Sequence, residues 1–329
     1  MNYELVINGF DNAWKRELGC DCERCRRTER TANTSVSLLG YSNQQFGFHG
    51  LFDAGAGVAD SLLNIPELQH KPRLDWVFLT HWHSDHVADL ARISTSIRRS
   101  RQRRGEPAHK GNLWMREGSA AWLERQQPHA LRDFQIITSL EFLPKGHLLE
   151  PIATQLSDLQ ITPVTLAHSS ADLHAPHSEE RLSCCAGFIL QTSNFKAALL
   201  WDMDSTNLWL EQPRTLEEEA FNALKNCDLL LVDCNTWDYH MDAQGLPASH
   251  ASFSQIKAIA KKLEPQKTYL MHLSGHEDQA DTGFGWSDKR WQLEASRAWQ
   301  AQGLSGSVYV PYIGQRLALA KTREVALVG

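Results

Sequence analysis

The densest group of reactive side chains in the sequence is the stretch HWHSDH, which follows an apolar run over 75–80. Its metal-capable residues are His81, His83, Asp85 and His86. Neutral imidazole and carboxylate are suitable ligands for zinc, iron or manganese. In a folded core, four such groups side by side would repel one another or keep unmet polar atoms unless an ion joined them. The stretch therefore predicts a metal site.

Other metal-capable residues also follow apolar, strand-like runs. They are Asp53, His168, Asp202 and His272. Loops at strand ends carry function because the strands hold them rigidly. Taken singly, each of these residues has an ordinary alternative as a surface or capping group. Their order along the chain and their shared placement at strand ends favour a common site.

A second metal site is indicated near the N-terminus, where Cys20, Cys22 and Cys25 form a C-x-C-x-x-C loop. This spacing places three thiolates around one point, and closed zinc sites take four ligands. The fourth ligand must come from elsewhere in the chain. The alternative is a group of ordinary thiols, although cysteines this dense invite oxidation when exposed. The chain has seven cysteines, and an odd count without an export signal argues against a disulfide framework.

Apolar runs of strand length precede these residues. Strands are predicted at 3–9, 34–40, 49–55, 75–81, 185–192, 196–204, 227–235, 267–274, 306–314 and 315–320, with further short elements at 113–118, 134–140 and 159–168. A helix is predicted from Ser84 as N-cap, because apolar residues recur at 87, 90, 93 and 97, and another over 252–265. Several strands are apolar throughout, which is typical of strands buried on both faces. This alternation predicts an α/β layered architecture with helices covering the sheets.

The composition is that of an ordinary soluble chain, with 42% hydrophobic and 22% charged residues. The net charge of −6 does not favour a nucleic-acid polymer as a partner, so a small-molecule substrate is expected. No apolar stretch approaches the roughly 20 residues of a membrane span, and the N-terminus lacks a signal-peptide pattern. A cytoplasmic location without membrane attachment is therefore expected. A homodimer is compatible with the sequence.

With its H-x-H-x-D-H motif and the ordered landmarks named above, the sequence resembles the metallo-β-lactamase superfamily. The resemblance spans residues 3–320. It implies an αββα four-layer sandwich, in a single domain over 1–329, with two divalent metal ions at one edge of the sheets. Zinc or manganese is expected there, with iron as a further option.

The resemblance also implies which side chain serves which ion. One ion would be held by His81, His83 and His168, and the other by Asp85, His86 and His272. Asp202 would bridge the two ions, and Asp53 would steady a ligand histidine. Two ions that share a hydroxide make it a nucleophile near neutral pH and clamp a phosphoryl or carbonyl oxygen. Asp85 could also take the proton of the attacking water.

The early cysteine loop narrows the resemblance to the branch of PhnP-type cyclic-phosphate phosphodiesterases, and PqqB-type proteins share this loop. In that branch a histidine shortly after the late active-site histidine completes a structural zinc site, in an H-x-x-H arrangement. Here the matching stretch is MHLSGHED, so His276 is the candidate ligand, one residue further along. The alternative for His276 is a solvated loop residue.

A further match to this branch is His250, which precedes the predicted helix over 252–265. In the phosphodiesterases a histidine at this place serves the phosphate or the leaving group. A helix N-terminus suits an anion because it offers free N–H groups and the positive end of the helix dipole. His250 is therefore a candidate to bind or protonate a leaving oxygen. The alternative is a neighbour of the helix cap without a chemical role.

The implied function is that of a dinuclear metal hydrolase that cleaves a small, cyclic phosphodiester through a metal-bridging hydroxide. The alternatives are a lactone or thioester hydrolase with the same ions, a PqqB-like cofactor-biosynthesis factor, and a scaffold without activity. The intact ligand set counts against the scaffold. The cysteine zinc loop is placed at 18–30, and inserted segments are expected at 95–150 and 170–184, where substrate loops would lie.

Overall fold

The computed structural model describes residues 1–107, 109–139, 143–168, 171, 173–174, 181–182, 184–239 and 248–320. Most of the predicted insertion at 170–184 therefore lies outside the described residues. The strands are β1 (Asn2–Gly9), β2 (Ser35–Ser42), β3 (Gln45–Phe52), β4 (Trp76–Phe78), β5 (Gly111–Arg116), β6 (Phe134–Ser139), β7 (Gln160–Leu166), β8 (Leu173–His174), β9 (Arg181–Leu182), β10 (Cys185–Gln191), β11 (Lys196–Leu200), β12 (Leu229–Asp233), β13 (Lys267–Met271), β14 (Ser307–Tyr309) and β15 (Arg316–Ala318).

Along the chain, most helices connect one parallel strand to the next. They are α1 (Glu23–Arg26), α2 (Val58–Leu62), α3 (Pro66–His70), α4 (Ser84–Val87), α5 (Leu90–Arg103), α6 (Glu117–Gln126), α7 (Pro128–Leu131), α8 (Glu218–Leu224), α9 (Phe253–Leu263) and α10 (Asp288–Ala301), with a 3-10 turn at Leu208–Leu210. None of the helices within the described ranges is long and apolar enough to cross a bilayer.

The strands form two main sheets whose parallel parts end at the same edge. The larger sheet has the order β15-β1-β2-β3-β4-β5-β6, and the second has the order β14-β13-β12-β11-β10-β7. Strands β3 to β6 are parallel, and so are strands β11 to β14. The carboxyl ends of parallel strands meet at one edge, where α/β proteins commonly place their binding sites. The predicted insertion at 95–150 supplies β5 and β6 to the larger sheet.

Successive residues of the buried strands face different cores because side chains alternate across a strand. In β1, Leu5 and Ile7 belong to the core between the sheets, whereas Val6 belongs to the core under α2, α5 and α6. The inter-sheet cluster continues through the second sheet to Ile256 of α9 and Trp291 of α10. The layers are therefore helices, sheet, sheet and helices, and the predicted αββα sandwich is confirmed.

Aromatic rings join the two sheets directly behind this edge. Phe52 and Phe78 end β3 and β4, and their rings stack with centroids 4.7 Å apart. Phe188 of β10, in the opposite sheet, meets Phe52 edge-on at 5.1 Å and Trp114 of β5 at 5.3 Å. All four side chains are buried. Because Phe52 directly precedes Asp53, this cluster holds the strand end that presents the carboxylate.

The segment after the HWHSDH stretch differs from its prediction. The prediction of one helix capped by Ser84 is wrong, because the chain forms the short α4 with His83 at the N-cap position and then a separate α5. The amide of Asp89 donates to the carbonyl of Ala54, in the loop after β3, at 2.7 Å. The carboxylate of Asp89 accepts from two amides at the start of α2, at 3.0 Å each. The amide and the carboxylate of Asp89 therefore bind earlier segments of the chain, while its carbonyl accepts from Ile93 at 2.9 Å and begins α5.

We expect the substitution Phe188→Ala to lower the free energy of unfolding by about 3–5 kcal/mol, because it empties a buried space between the sheets. Urea unfolding followed by circular dichroism measures the change. The control is Leu293→Ala on α10, where the side chain is 49% exposed and the expected change is below about 0.5 kcal/mol. A loss at Phe188 no larger than the loss at Leu293 would contradict the inter-sheet role.

Candidate metal centre

The predicted ligands converge from strand ends of both sheets. The residues concerned are Asp53 after β3, His81 to His86 after β4, His168 after β7, Asp202 after β11 and His272 after β13. The described side chains of this group are largely buried, although His83 is only half-buried. The two sheets therefore supply one common centre, as their shared edge requires.

Three of these strand ends have a left-handed backbone. The φ angle is 58° at Asp53 and 59° at both Asp202 and His272. A positive φ is uncommon outside glycine, although aspartate tolerates it better than most residues. Such a conformation costs on the order of 1–3 kcal/mol and persists where the surrounding contacts impose it, often at functional sites. Here it turns the chain sharply at the point where each side chain enters the centre.

The first ligand cluster consists of His81, His83, His168 and Asp202, whose ligand atoms lie within 4.8 Å of one another. His81 Nε2 is 3.1 Å from Asp202 Oδ2, and His168 Nε2 is 3.5 Å from Asp202 Oδ1. His83 Nδ1 lies 3.2 Å from His168 Nε2. Three imidazoles and one carboxylate thus surround one point, and they form a donor set suited to a four-coordinate ion such as zinc.

The second cluster shares Asp202 and adds Asp85, His86 and His272. His86 Nε2 lies 2.7 Å from Asp202 Oδ2 and 3.3 Å from Asp85 Oδ2. His272 Nε2 lies 3.3 Å from the same Asp85 oxygen. The carboxylate of Asp202 is therefore common to both clusters. The structure brings together all the residues that the sequence predicts as ligands of the active centre.

Several buried polar atoms at this centre lack a hydrogen-bond partner of good geometry among the described residues. They include Nε2 of His81, Nε2 of His86 and Oδ1 of Asp202, in side chains that are at most 1% exposed. An unsatisfied buried donor or acceptor costs about 1–3 kcal/mol. Imidazole nitrogens and carboxylate oxygens are also common ligands of divalent cations, so bound cations would give these atoms the partners they lack. The residues therefore fit a metal centre.

The charge balance of the centre also favours cations. Burial alone would raise the pKa of Asp202, yet the surrounding histidines hold it well below its usual range. Burial likewise lowers the pKa of His86, but three carboxylates, Asp85 foremost, raise it well above its usual range overall. A proton on this ring thus balances buried negative charge. A divalent cation can take over that balance and release the proton.

Asp53 fixes the orientation of His86. Its Oδ2 atom lies 2.8 Å from His86 Nδ1, so the opposite ring nitrogen faces the centre. The same carboxylate accepts from the Thr80 amide and hydroxyl at 2.8 Å each and from the Trp201 indole at 2.7 Å. Carboxylates in this position set the orientation and basicity of metal-binding histidines. Asp53 therefore lies beside His86, a predicted ligand, where the resemblance implies it.

The loop after Asp53 packs against the backbone of the HWHSDH stretch, and Gly55 permits this contact. A Cβ atom on Gly55 would lie 1.7 Å from the carbonyl oxygen of Asp85. The neighbouring Ala54 amide donates to the His86 carbonyl at 2.7 Å. Only glycine leaves room for the two loops at this distance, which accounts for the first glycine of the DAGAG sequence after β3.

His250 lies beside the centre together with a residue that the sequence analysis missed. Its Nδ1 atom is 3.1 Å from Asp202 Oδ1 and 3.3 Å from Asp233 Oδ2. Asp233 is fully buried and accepts from the Met203 amide at 2.9 Å. Burial lowers the pKa of His250, but its close contacts with the two carboxylates raise it well above its usual range. A signal for Asp233 was present, because the apolar run CDLLLVD ends in a carboxylate.

The cysteine loop forms a separate cluster with a late histidine. Its members are Cys20, Cys22, Cys25 and His276. His276 Nε2 lies 3.2 Å from Cys25 Sγ and 3.5 Å from Cys22 Sγ. Its other ring nitrogen lies 3.0 Å from the hydroxyl of Ser274. Gly275, with φ at 72°, turns the chain just before the histidine. The longer spacing therefore does not keep His276 from the thiols, and the group has the donor set of a closed zinc site.

Comparison with known proteins identifies similar folds. The chain matches the model of the beta-lactamase superfamily domain over residues 50–273. The metallo-beta-lactamase fold protein YhfI from Bacillus subtilis is 15% identical, with 97% of this chain and 100% of that chain covered and a TM-score of 0.61. A diphosphatase from the PhnP family is 17% identical, with 97% of each chain covered and a TM-score of 0.61. Zn²⁺-bound PqqB from Methylobacterium extorquens is 14% identical, with 95% and 99% covered and a TM-score of 0.57. No curated protein matches the chain in sequence.

We expect Asp53→Asn to weaken the binding of the ion next to His86 by about 10–100-fold, because it removes the carboxylate that orients this ring. Asparagine also tolerates a left-handed backbone, so the turn should be kept. Titration of metal-stripped protein with Zn²⁺ or Mn²⁺ against a chromophoric chelator measures the dissociation constants. Asp60→Asn, at an exposed carboxylate, is the control. Equal affinities in both variants would exclude this role for Asp53.

We expect His276→Ala to release zinc from the cysteine cluster during dialysis against a chelator, because three thiols alone leave a four-ligand site incomplete. Elemental analysis before and after thiol-directed release with a mercurial reagent measures the ion held by the cysteines. His70→Ala, at an exposed histidine, should retain this ion as the unsubstituted protein does. Full retention in His276→Ala would mean that another group supplies the fourth ligand.

Proposed function

Because the chain belongs to the beta-lactamase superfamily of metal-dependent hydrolases, we propose that it cleaves a small, cyclic phosphodiester with two divalent cations. One observation carries the proposal. The Asp202 carboxylate is shared by two ligand clusters and lies beside the imidazole of His250. A paired cation centre with a proton donor alongside meets the needs of phosphodiester hydrolysis.

The ions would be held by the two clusters that share Asp202. When bound, a pair of divalent cations activates water for attack and neutralises charge on phosphoryl oxygens. We propose zinc or manganese at this centre, with iron as a further option, because imidazole and carboxylate accept all three. Zinc is proposed at the cysteine cluster, since thiolates select it. That cluster needs reduced thiols, which supports a reducing compartment such as the cytoplasm.

His250 is the residue best suited to assist the leaving group. Its Nδ1 atom lies between the carboxylates of Asp202 and Asp233, so Nε2 is the nitrogen that can meet a substrate. The imidazole is 18% exposed, whereas both carboxylates are almost fully buried. Without ions, the two carboxylates raise the pKa of the ring well above its usual range. Asp233 belongs to neither of the two proposed ion clusters, so its carboxylate, 3.3 Å from Nδ1, would still favour the protonated ring when ions bind Asp202. A protonated Nε2 can donate its proton to the leaving oxygen as the bond between that oxygen and phosphorus breaks.

Asp85 has the complementary property. Burial would raise its pKa, yet the charge of His86 and the hydrogen bond with His272 hold it well below its usual range. The carboxylate is therefore ionised at neutral pH, and its contacts with both rings keep it at the centre. In this state Asp85 can hold an ion and accept a proton from the attacking water.

A phosphodiester is preferred to an acyl substrate on two grounds. One solved structure with the same fold is a diphosphatase, and the protonated His250 would attract an anionic phosphate. A lactone or thioester hydrolase with the same ions is the second hypothesis. A PqqB-like role is the third, since PqqB shares the fold.

The proposal is tested by turnover of two phosphodiesters, bis-(p-nitrophenyl) phosphate and a 2′,3′-cyclic nucleotide, beside a lactone and a thioester. We expect the Zn²⁺- or Mn²⁺-loaded protein to cleave the phosphodiesters and to leave the acyl substrates intact. His250→Ala should lower kcat for the cyclic nucleotide by about 10²–10⁴-fold, because its alkoxide leaving group needs a proton. The loss should be smaller for bis-(p-nitrophenyl) phosphate, whose phenolate leaves without one.

The control is His129→Ala, at an exposed histidine far from the centre in sequence. Metal content should be the same in His250→Ala and in the unsubstituted protein. Loss of an ion from His250→Ala would instead identify His250 as a ligand, since it also lies in a cluster with Asp202, Asp233 and His272. Turnover of the lactone or thioester without turnover of either phosphodiester would refute the proposed substrate class.

A further inference from the structure

Arg24 connects the cysteine cluster to the active centre through the protein interior. It lies between Cys22 and Cys25 in sequence, and its side chain is fully buried. Its Nη2 atom donates to the carbonyl oxygen of Leu273 at 3.0 Å and to Asp11 Oδ1 at 2.5 Å. Leu273 is the residue directly after His272, the predicted ion ligand at the end of β13.

A second route reaches the same histidine from its other side. The backbone carbonyl of Asp11 accepts from the Thr34 hydroxyl at 3.1 Å. The oxygen of that hydroxyl accepts from the amide of His272 at 3.1 Å. The His272 amide and the Leu273 carbonyl are therefore both fixed by contacts that lead to Asp11 and Arg24.

This double attachment matters because His272 has a left-handed backbone, with φ at 59°. A histidine does not adopt this conformation without support from its surroundings. The Leu273 carbonyl, which follows this turn, accepts from the Asn12 amide at 3.3 Å and from the guanidinium of Arg24, which is the charged donor of the two. Charged hydrogen bonds of this kind are stronger than neutral ones.

We infer that Arg24 is a positioning residue through which ion binding at the cysteine cluster strengthens ion binding at His272. An ion on Cys20, Cys22, Cys25 and His276 fixes the short helix α1, which carries Arg24. The fixed guanidinium then holds the turn at His272 in the geometry that the ion requires. The inference rests on ion binding at both sites, as proposed above, and is independent of the substrate. Coupling of this kind is reciprocal, so each ion raises the affinity of the protein for the other.

Arg27 provides a matched control within the same loop. It pairs with the same two carboxylates as Arg24, those of Asp11 and Asp288, and is only 8% exposed. Among the described contacts, however, Arg27 makes none with Leu273. Removing Arg27 therefore removes similar buried charge without removing the bond to the turn at His272.

The first experiment compares Arg24→Met, Arg24→Lys and Arg27→Met by chelator-competition titration with Zn²⁺. We expect Arg24→Met to weaken one ion of the active centre by about tenfold or more, as loss of a group that orients a ligand does. Arg24→Lys should weaken ion binding less than Arg24→Met does. Lysine keeps the positive charge, but it cannot bond Asp11, Asp288 and the Leu273 carbonyl at once. Arg27→Met should retain the affinity of the unsubstituted protein. Equal losses in Arg24→Met and Arg27→Met would overturn the inference.

The second experiment tests the coupling by a double-mutant cycle. Cys22→Ser should weaken the same active-centre ion in the unsubstituted background and should have no further effect when combined with Arg24→Met. Additive losses would overturn the inference.

If a variant does not fold, as judged by circular dichroism, the cysteine-bound zinc of the unsubstituted protein is released with a mercurial reagent. The active-centre affinity should then fall; an unchanged affinity would overturn the inference. Absence of ion binding at both sites in the unsubstituted protein would instead refute the proposed function.

Discussion

The carboxylate of Asp202, which is 1% exposed, lies within 3.8 Å of ring nitrogens from five histidines. The rings are those of His81, His86, His168, His250 and His272. Such a group of buried polar side chains is unfavourable unless charges and hydrogen bonds are satisfied together. Divalent cations around this shared carboxylate would satisfy them, which requires the strands to end where these side chains can meet.

The two sheets meet this requirement by bringing parallel strand ends to one edge. The aromatic cluster of Phe52, Phe78 and Phe188 holds the sheets together directly behind it. Three strand ends then turn through left-handed residues, which only a well-packed surrounding can sustain. The stability of the core and the geometry of the centre are therefore linked. The core residue Phe52, for example, is directly followed by Asp53 of the centre.

The two ion clusters are also linked, because one short segment serves both. His272 faces the active centre and His276 faces the cysteine thiols, with Leu273 bound by Arg24 between them. The cysteine loop therefore lies next to the edge that carries the histidine and aspartate clusters, and Arg24 bonds this loop to the turn at His272.

The sequence by itself determined the layered α/β fold and most of the residues that cluster at the candidate metal centre. Strand-length apolar runs and the HWHSDH spacing are local properties, so they can be recognised without the fold. It did not predict the break before α5, because the Asp89 amide and carboxylate bind a loop and a helix that come earlier in the chain. It did not predict Asp233 or Arg24 either. Their roles come from contacts with His250 and Leu273, which lie 17 and 249 positions away. Only the tertiary structure decided these contacts, because chain segments so far apart meet only when both sheets have packed.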